Sequence, residues 1–112
     1  MNMNSSLLPV AAAALLISTS VSAAEPDGAA LFNQTCVVCH GKNAQGAIPG
    51  VPDLTRKDGM LTESDAHLVA SILNGVQTKG SPMAMPPKGG NPKLTPEDAI
   101  ALVAYLRALV KK

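Results

Sequence analysis

The chain has 112 residues and a net charge of +1, with nine lysines and arginines against eight acids. So small an excess of positive charge argues against a nucleic-acid-binding protein. One Phe, one Tyr and no Trp leave few large aromatic side chains for a core. Short chains of this kind often depend on a metal, a covalent cross-link or a bound group for stability. We therefore expect a bound group to complete the core.

Residues 1–24 have the composition of a secretory signal peptide. Leu7–Ile17 is apolar, and the small residues of Ser18–Ala24 suit cleavage by a signal peptidase. The apolar stretch is shorter than the roughly 20 residues that span a bilayer. Because no Lys or Arg precedes Lys42, an uncleaved N-terminal anchor stays an alternative. We predict a cleaved signal peptide at 1–24, one domain at 25–112 and a periplasmic location.

Three helices are predicted after residue 24, which makes the domain all-α. The first begins near Asp27, a residue type that caps helix N-termini, and runs to the cysteines. In this helix Gly28, Phe32 and Cys36 follow one another at intervals of four residues. Residues at that spacing share a helix face, so the sequence predicts that these three side-chain positions point the same way.

The second and third helices carry apolar stripes at helical spacing. The second is predicted to start at Thr62, with Asp65 completing a near capping box, and to end at Gly75. The third is predicted to start at Thr95, with Pro96 in the first helical position. The stripes consist of Leu68, Val69, Ile72, Leu73 and Val76 in the second helix, and of Leu102, Val103, Leu106, Leu109 and Val110 in the third.

The segment Cys36-Val37-Val38-Cys39-His40 is a C-x-x-C-H motif, the pattern of covalent c-type haem attachment. Each thiol adds to one vinyl group of haem, and the imidazole of His40 can then bind the iron as the proximal ligand. Three other interpretations fit less well. A thioredoxin-like pair requires a βαβ context, a zinc site normally requires four ligands, and a disulfide across so short a loop would constrain little.

Long Gly/Pro-rich segments at 41–59 and 75–94 suggest a chain wrapped around a ligand. The second segment contains Met83 and Met85 among prolines that stiffen the backbone. A thioether suits low-spin haem iron and raises its reduction potential, so one of these methionines is the predicted second axial ligand. Both could instead pack on the haem. His67 lies opposite the apolar stripe of its helix and is predicted to be exposed, not a ligand.

The domain resembles the class I c-type cytochromes along essentially its whole length. The residues that carry the resemblance are, in order, Gly28, Phe32, Cys36-x-x-Cys39-His40, Pro52-Asp53-Leu54, Met85-Pro86-Pro87 and Leu102-Val103-Ala104-Tyr105-Leu106. The resemblance implies the cytochrome c fold, in which three main helices and long loops surround one covalently attached haem c. It also implies that the first and last helices cross at Gly28 and Tyr105.

The resemblance further implies the identity of the ligands. The methionine of a Met-Pro-Pro segment is the usual distal ligand in the family, which favours Met85 and leaves Met83 as the runner-up. A proline carbonyl in the first loop accepts a hydrogen bond from Nδ1 of the ligand histidine, a contact that fixes the ring. Pro52 has the matching position, and Pro49 is a weaker candidate.

A small cytochrome of this kind is expected to be an electron carrier, not an enzyme. With both axial positions filled, no substrate position is open, and electrons pass to and from redox proteins of a respiratory chain by transient docking. Lys79, Lys88 and Lys93 could steer acidic partners or could simply be solvated. We expect a monomer that binds no nucleic acid and that is not stably inserted in a membrane once its signal is cleaved. The alternatives are a dedicated subunit of a periplasmic oxidoreductase and, less favoured, a ligand-binding or peroxidatic haem protein.

Overall fold

The computed structural model describes residue 6, residues 8–20 and residues 24–111 of the chain. Its helices are α1 at Gly28–Leu31, α2 at Val37–His40, α3 at Asp65–Asn74 and α4 at Pro96–Val110. A π-helical turn at Phe32–Cys36 joins α1 and α2 into one run, and 3₁₀ turns lie at Met60–Thr62 and Pro87–Gly90. Three helical runs and two long loops therefore make up the domain, and the predicted all-α fold class is confirmed.

The predicted signal peptide is described in part. Residues 8–20 are exposed and belong to no helix or strand. Positions 21–23, where the sequence predicts cleavage, lie outside the described residues. Among residues 6, 8–20 and 24–111, no helix has the length and apolar character needed to cross a membrane.

The first helical run starts where the sequence predicts. The carboxylate of Asp27 accepts a hydrogen bond from the amide of Ala30 at 3.2 Å and so caps α1. The run is not a uniform α-helix, however, because the amide of Val37 donates to the carbonyl of Phe32, five residues back. A π turn of this kind rotates the residues after it relative to an unbroken α-helix, and such turns are frequent at functional sites.

Helix α3 starts later than the sequence predicts, so the start at Thr62 is wrong. Ser64 is the N-cap, and its hydroxyl accepts a hydrogen bond from the amide of His67 at 3.2 Å. Thr62 ends the preceding 3₁₀ turn, in which its hydroxyl donates to the carbonyl of Gly59 at 2.7 Å. The predicted end at Gly75 is confirmed, since this residue has φ +80°, a conformation that favours glycine.

Helix α4 starts at the predicted residue and is closed by a reciprocal capping box. The hydroxyl of Thr95 accepts a hydrogen bond from the amide of Asp98 at 3.1 Å, and the carboxylate of Asp98 accepts one from the amide of Thr95 at 2.9 Å. Pro96 occupies the first turn, where no amide donor is required. These contacts satisfy two donors that a helix start would otherwise leave unpaired.

The core lies where α4 packs against α1 and α3. Phe32 and Leu102 are each 1% exposed, and the rings of Phe32 and Tyr105 lie 5.4 Å apart at an angle of 49°. A Cβ atom added to Gly28 would lie 2.8 Å from the Cβ atom of Tyr105. Only glycine permits so close an approach of the two helices, and the crossing that the resemblance implies is present.

Arg107 of α4 anchors the segment that precedes α3. Its guanidinium donates hydrogen bonds to the carbonyl of Leu61 at 2.8 Å, the carbonyl of Glu63 at 2.9 Å and the carboxylate of Asp65 at 2.7 Å. Hydrogen bonds from a charged donor are stronger than those between neutral groups. The fixed segment contains Leu61, which forms part of the cavity wall described next.

Candidate functional site

A cavity of about 340 Å³ lies between the helical runs and the two long loops. Most of its wall is apolar, with contributions from Phe32, Leu54, Leu68, Ile72, Val76, Leu102, Val103 and Leu106. The same wall contains the residues predicted from the sequence, which are Cys36, Cys39, His40, Pro52, Met83 and Met85. An apolar cavity of a few hundred Å³ with a few convergent polar groups is typical of a cofactor site.

His40 is the last residue of α2 and lies half-buried in this wall. Its Nδ1 atom is buried and has no hydrogen-bond partner among the described residues. Burial lowers the pKa of His40, which favours the neutral imidazole that metals bind. Pro52 lines the same cavity, but its carbonyl does not accept a hydrogen bond from Nδ1 in this structure. The role of Pro52 therefore stays a prediction.

The two cysteines of the motif are free thiols, and both are half-buried. Burial is the main cause, and the neighbouring Cys39 a smaller one, of a rise in the pKa of Cys36 to about 11. Reactive redox cysteines have lowered pKa values, so this thiol differs from them. Nowhere in the described ranges do three His, Cys, Asp or Glu side chains converge on a position for a metal ion. The disulfide, thioredoxin-like and zinc interpretations therefore gain no support.

The two candidate methionines are held differently. The amide of Met85 donates to the carbonyl of Val76 at 2.8 Å, and the amide of Val76 donates back to the carbonyl of Met85 at 2.9 Å. This antiparallel bridge ties a half-buried Met85 to the residue that follows the end of α3. Met83 is 40% exposed, and its carbonyl accepts a hydrogen bond from the hydroxyl of Ser81 at 2.9 Å. Met85 is thus the more firmly positioned of the two.

The two long loops meet at the cavity, a contact that the sequence does not reveal. The hydroxyl of Ser81 lies 3.4 Å from the carbonyl of Gly50. A Cβ atom on Gly50, which has φ +92°, would lie 2.9 Å from Cγ of Pro82. Gly50, Ser81 and Met83 all line the cavity. Because the partners are far apart in the chain and follow no motif, no spacing in the sequence predicts this contact.

Met60 is a third methionine in the wall, and sequence reasoning missed it. It lies in the 3₁₀ turn before α3 and packs against the core cluster around Phe32 and Leu54. Its burial follows from the docking of that turn, so no local sequence signal could have identified it. Met60 consequently has to be included when the methionine ligand is tested.

Predictions for two surface features can be compared with the structure. His67 is exposed, as its position on the helix predicts, and its side chain does not line the cavity. Lys79 and Lys93 are exposed, whereas Lys88 is half-buried. Lys88 also has φ +58°, a conformation uncommon outside glycine.

Comparison with known proteins identifies the class to which this site belongs. Residues 23–106 match the sequence model of a family described as cytochrome c oxidase, cbb3-type, subunit III. Cytochrome c-555 from Chlorobaculum tepidum is 35% identical over 95 residues, which cover 84% of this chain and 85% of that protein. The structure of KustC0563 c-type cytochrome superposes with a TM-score of 0.56 at 30% identity, covering 74% of this chain and 96% of the other.

A third relative is a larger protein. Lupanine 17-hydroxylase [cytochrome c] from Pseudomonas sp is 36% identical over 86 residues, which cover 76% of this chain. The matched region is 11% of that protein, so the similarity concerns a small part of it.

The chain belongs to the family of small class I c-type cytochromes. Members of this family carry covalently attached haem c, which is the cofactor of this domain, and the domain serves electron transfer. The residues present fit that group, since two thiols, a half-buried imidazole and thioethers share one apolar cavity. These are the functional groups that covalent attachment and axial ligation of haem require.

Proposed function

We propose that this protein is a periplasmic one-electron carrier that shuttles between redox proteins. Cys36 and Cys39 would hold one haem c, and His40 and Met85 would be its axial ligands. When bound, the haem supplies a reversible ferrous–ferric couple. The chain's own residues provide the attachment, the ligands and the apolar surroundings.

The observation that carries this proposal is the convergence of the motif and the methionine loop on one apolar cavity. Cys36, Cys39 and His40 come from the end of the first helical run, and Met85 comes from a loop more than forty residues later. Apolar side chains such as Leu68 and Val103 line the same cavity and would shield a bound group from water. Exclusion of water strengthens electrostatic interactions with a bound group and tunes its potential.

Met85 is proposed as the sulfur ligand because its backbone is fixed by contacts within the chain. Two hydrogen bonds hold the Met85 backbone to Val76. The next two residues, Pro86 and Pro87, have restricted backbone angles. Prior restriction lowers the entropy lost when a side chain is held at a metal. Met83 is more exposed and Met60 is packed against the core cluster. With His40 and Met85 as ligands, an exogenous ligand has to displace Met85, which disfavours an enzymatic role.

The location and the mode of docking are proposed on sequence and charge. The family match begins at residue 23, next to the proposed end of the signal peptide at residue 24. The segment 79–93 contains three lysines and no acid. A lysine-bearing surface beside the cavity favours transient encounters with acidic redox partners, and salt should weaken those encounters.

The ligand assignment is tested with three volume-conserving variants, Met85→Leu, Met83→Leu and Met60→Leu. Each is produced in the periplasm of a host that matures c-type cytochromes. We expect the long-wavelength sulfur-to-iron band of the oxidised protein to vanish in Met85→Leu alone. We also expect rapid binding of carbon monoxide to reduced Met85→Leu and not to the other two. Leucine retains the apolar volume, so these changes report on sulfur, not on packing.

The possible outcomes separate the parts of the proposal. Loss of the band in Met83→Leu or Met60→Leu, with its retention in Met85→Leu, would reassign the ligand. A wild-type protein that has covalent haem but no such band would contradict the closed His/Met site and revive the ligand-binding alternative. A wild-type protein without covalent haem, while a control cytochrome matures in the same host, would contradict the proposal as a whole.

The family match favours one second candidate, a dedicated electron-transfer subunit. The matched family is described as a subunit of a cbb3-type oxidase. A subunit would purify in a stable complex with an oxidoreductase, whereas a shuttle would purify alone. Gentle affinity purification of the tagged full chain from its native host, followed by gel filtration, distinguishes the two. Elution as a free monomer supports the shuttle.

A further inference from the structure

We infer that Gly75 is a positioning residue for the Met85 thioether, acting through the backbone. The inference rests on the proposed function, because it takes Met85 as the sulfur ligand. From the sequence Gly75 is simply the residue that ends α3. In the structure it also contacts the methionine loop, and no side chain is compatible with that contact.

The first step is the bridge between Val76 and Met85. Each residue's amide donates to the other's carbonyl, at 2.9 Å from Val76 and 2.8 Å from Met85. This bridge is the one β pairing among the described residues. It fixes the Met85 backbone directly against the end of α3, whose residue Ile72 also lines the cavity. A thioether held in this way has a defined starting point at the cavity wall.

The second step is the space around Gly75. A Cβ atom at this position would lie 2.6 Å from the carbonyl oxygen of Met85, 2.9 Å from the nitrogen of Pro87 and 3.1 Å from the carbonyl carbon of Pro86. All three atoms belong to the backbone of the Met-Pro-Pro segment, so no side-chain rotation relieves the overlap. Any side chain at position 75 therefore has to push this segment away from α3. The carbonyl of Met85 that would be displaced is the one that accepts the bridge hydrogen bond.

The third step is a matched control that the same loop offers. Gly80 has φ +83°, almost the same as the φ +80° of Gly75, but a Cβ atom on Gly80 would have nothing within 4 Å. Replacing either glycine by alanine places a side chain at a positive φ, which strains the backbone. Only the replacement at position 75 adds a collision with the methionine segment. Gly80→Ala thus reports the effect of a side chain at positive φ in this segment without the collision.

The experiment compares wild-type, Gly75→Ala and Gly80→Ala proteins with haem attached. We expect Gly75→Ala to lose most of the sulfur-to-iron band, to have a lower reduction potential and to bind carbon monoxide rapidly when reduced. We expect Gly80→Ala to keep the band and the potential of the wild type. Both variants should keep haem through acid extraction, because the cysteines are not altered. A purely structural role for Gly75 would lower the thermal stability of Gly75→Ala without moving its band.

Two outcomes would overturn the inference. One is a Gly75→Ala protein with the wild-type band and potential, and the other is an equal loss of the band in both variants. Neither result affects the assignment of Met85, which rests on the methionine variants. Conversely, if wild-type protein lacks the band, the proposed ligation fails before any glycine variant is considered.

A measurement on the wild-type protein covers the case in which Gly75→Ala does not mature. Amide hydrogen exchange is followed at Val76 and Met85 in the oxidised protein with its sulfur-to-iron band intact. Protection of both amides, and its loss when imidazole displaces the methionine, supports a bridge coupled to ligation. Free exchange of both amides while the band is intact would show that the bridge does not hold the ligand, and would overturn the inference.

Discussion

The cavity has two sides that are built in different ways. On the motif side, Cys36, Cys39 and His40 lie on one continuous helical run whose residue Phe32 is buried in the core. On the methionine side, Met85 lies in a loop that a two-bond bridge ties to Val76 and that Ser81 joins to Gly50 of the first loop. The first side is fixed by local helix geometry and core packing, and the second by a few contacts between segments that are distant in the sequence.

This difference indicates which side of the cavity should open first. Opening the motif side requires exposure of the core, whereas opening the methionine side requires the loss of the two bridge hydrogen bonds and of the contact between Ser81 and Gly50. Net contributions of such hydrogen bonds are about 1 kcal/mol each, well below the stability of a typical domain. Loops with few contacts open locally at low free energy. The predictions below test this contrast from the largest expected effect to the smallest.

Removal of both thiols should have the largest effect. In the double variant Cys36→Ala with Cys39→Ala, no sulfur is left to form a thioether, so haem should be completely lost on acid extraction. Met85→Leu, a change on the opposite side, should leave the haem fully attached. The measurement is the haem absorbance that stays with the protein after acidified acetone. Haem retained by the double variant would show that the motif is not the attachment site.

Truncation of the core aromatic should strongly destabilise the motif side. Phe32 is 1% exposed and packs against Tyr105, so Phe32→Ala should lower the free energy of unfolding by about 3–5 kcal/mol. Val38 lies between the two cysteines and is 70% exposed, so Val38→Ala should change it by less than about 0.5 kcal/mol. Guanidinium unfolding of the haem-containing proteins measures the free energy of unfolding of both variants. Equal costs for the two variants would contradict the packing described here.

The smallest expected effect is a pH dependence of folding stability that arises from the loop containing Pro52. The hydroxyl and the amide of Thr55 donate hydrogen bonds to the carboxylate of Asp53, and together they lower the pKa of Asp53. A lowered folded-state pKa adds stability above the unfolded-state value of about 3.9 and loses it as pH falls through the folded value. Thr55→Val removes the side-chain donor and should therefore reduce stability at neutral pH.

The stability difference between wild type and Thr55→Val should be constant above about pH 5 and shrink below it. Urea unfolding between pH 7 and pH 3 measures this difference. The methionine segment 79–93 contains no acid, so acid titration acts on the first loop and not on that segment. A difference that does not change with pH would show that the hydrogen bonds to Asp53 do not stabilise its ionised form.

Sequence patterns were most successful where one residue and its near neighbours decide the structure. Asp27 and Thr95 cap their helices as predicted, because an N-cap side chain bonds to an amide three residues ahead. The predicted start of α3 was wrong because a residue far away in the sequence contacts this segment. Arg107, distant in the sequence, takes the carbonyls of Leu61 and Glu63, and this contact accompanies extended backbone at Glu63.

The sequence by itself determined the class of protein, the attachment motif and the three helical runs, since these depend on residue type and short spacings. Only the tertiary structure brought Gly75 and Val76 against Met85, Met60 into the cavity wall, and Gly50 against Pro82. Each of these contacts joins segments that are not neighbours in a motif, and each depends on how α3 and the two loops pack around the cavity. Such contacts are set by the packing of the whole chain around the cavity, which no local pattern of residues encodes.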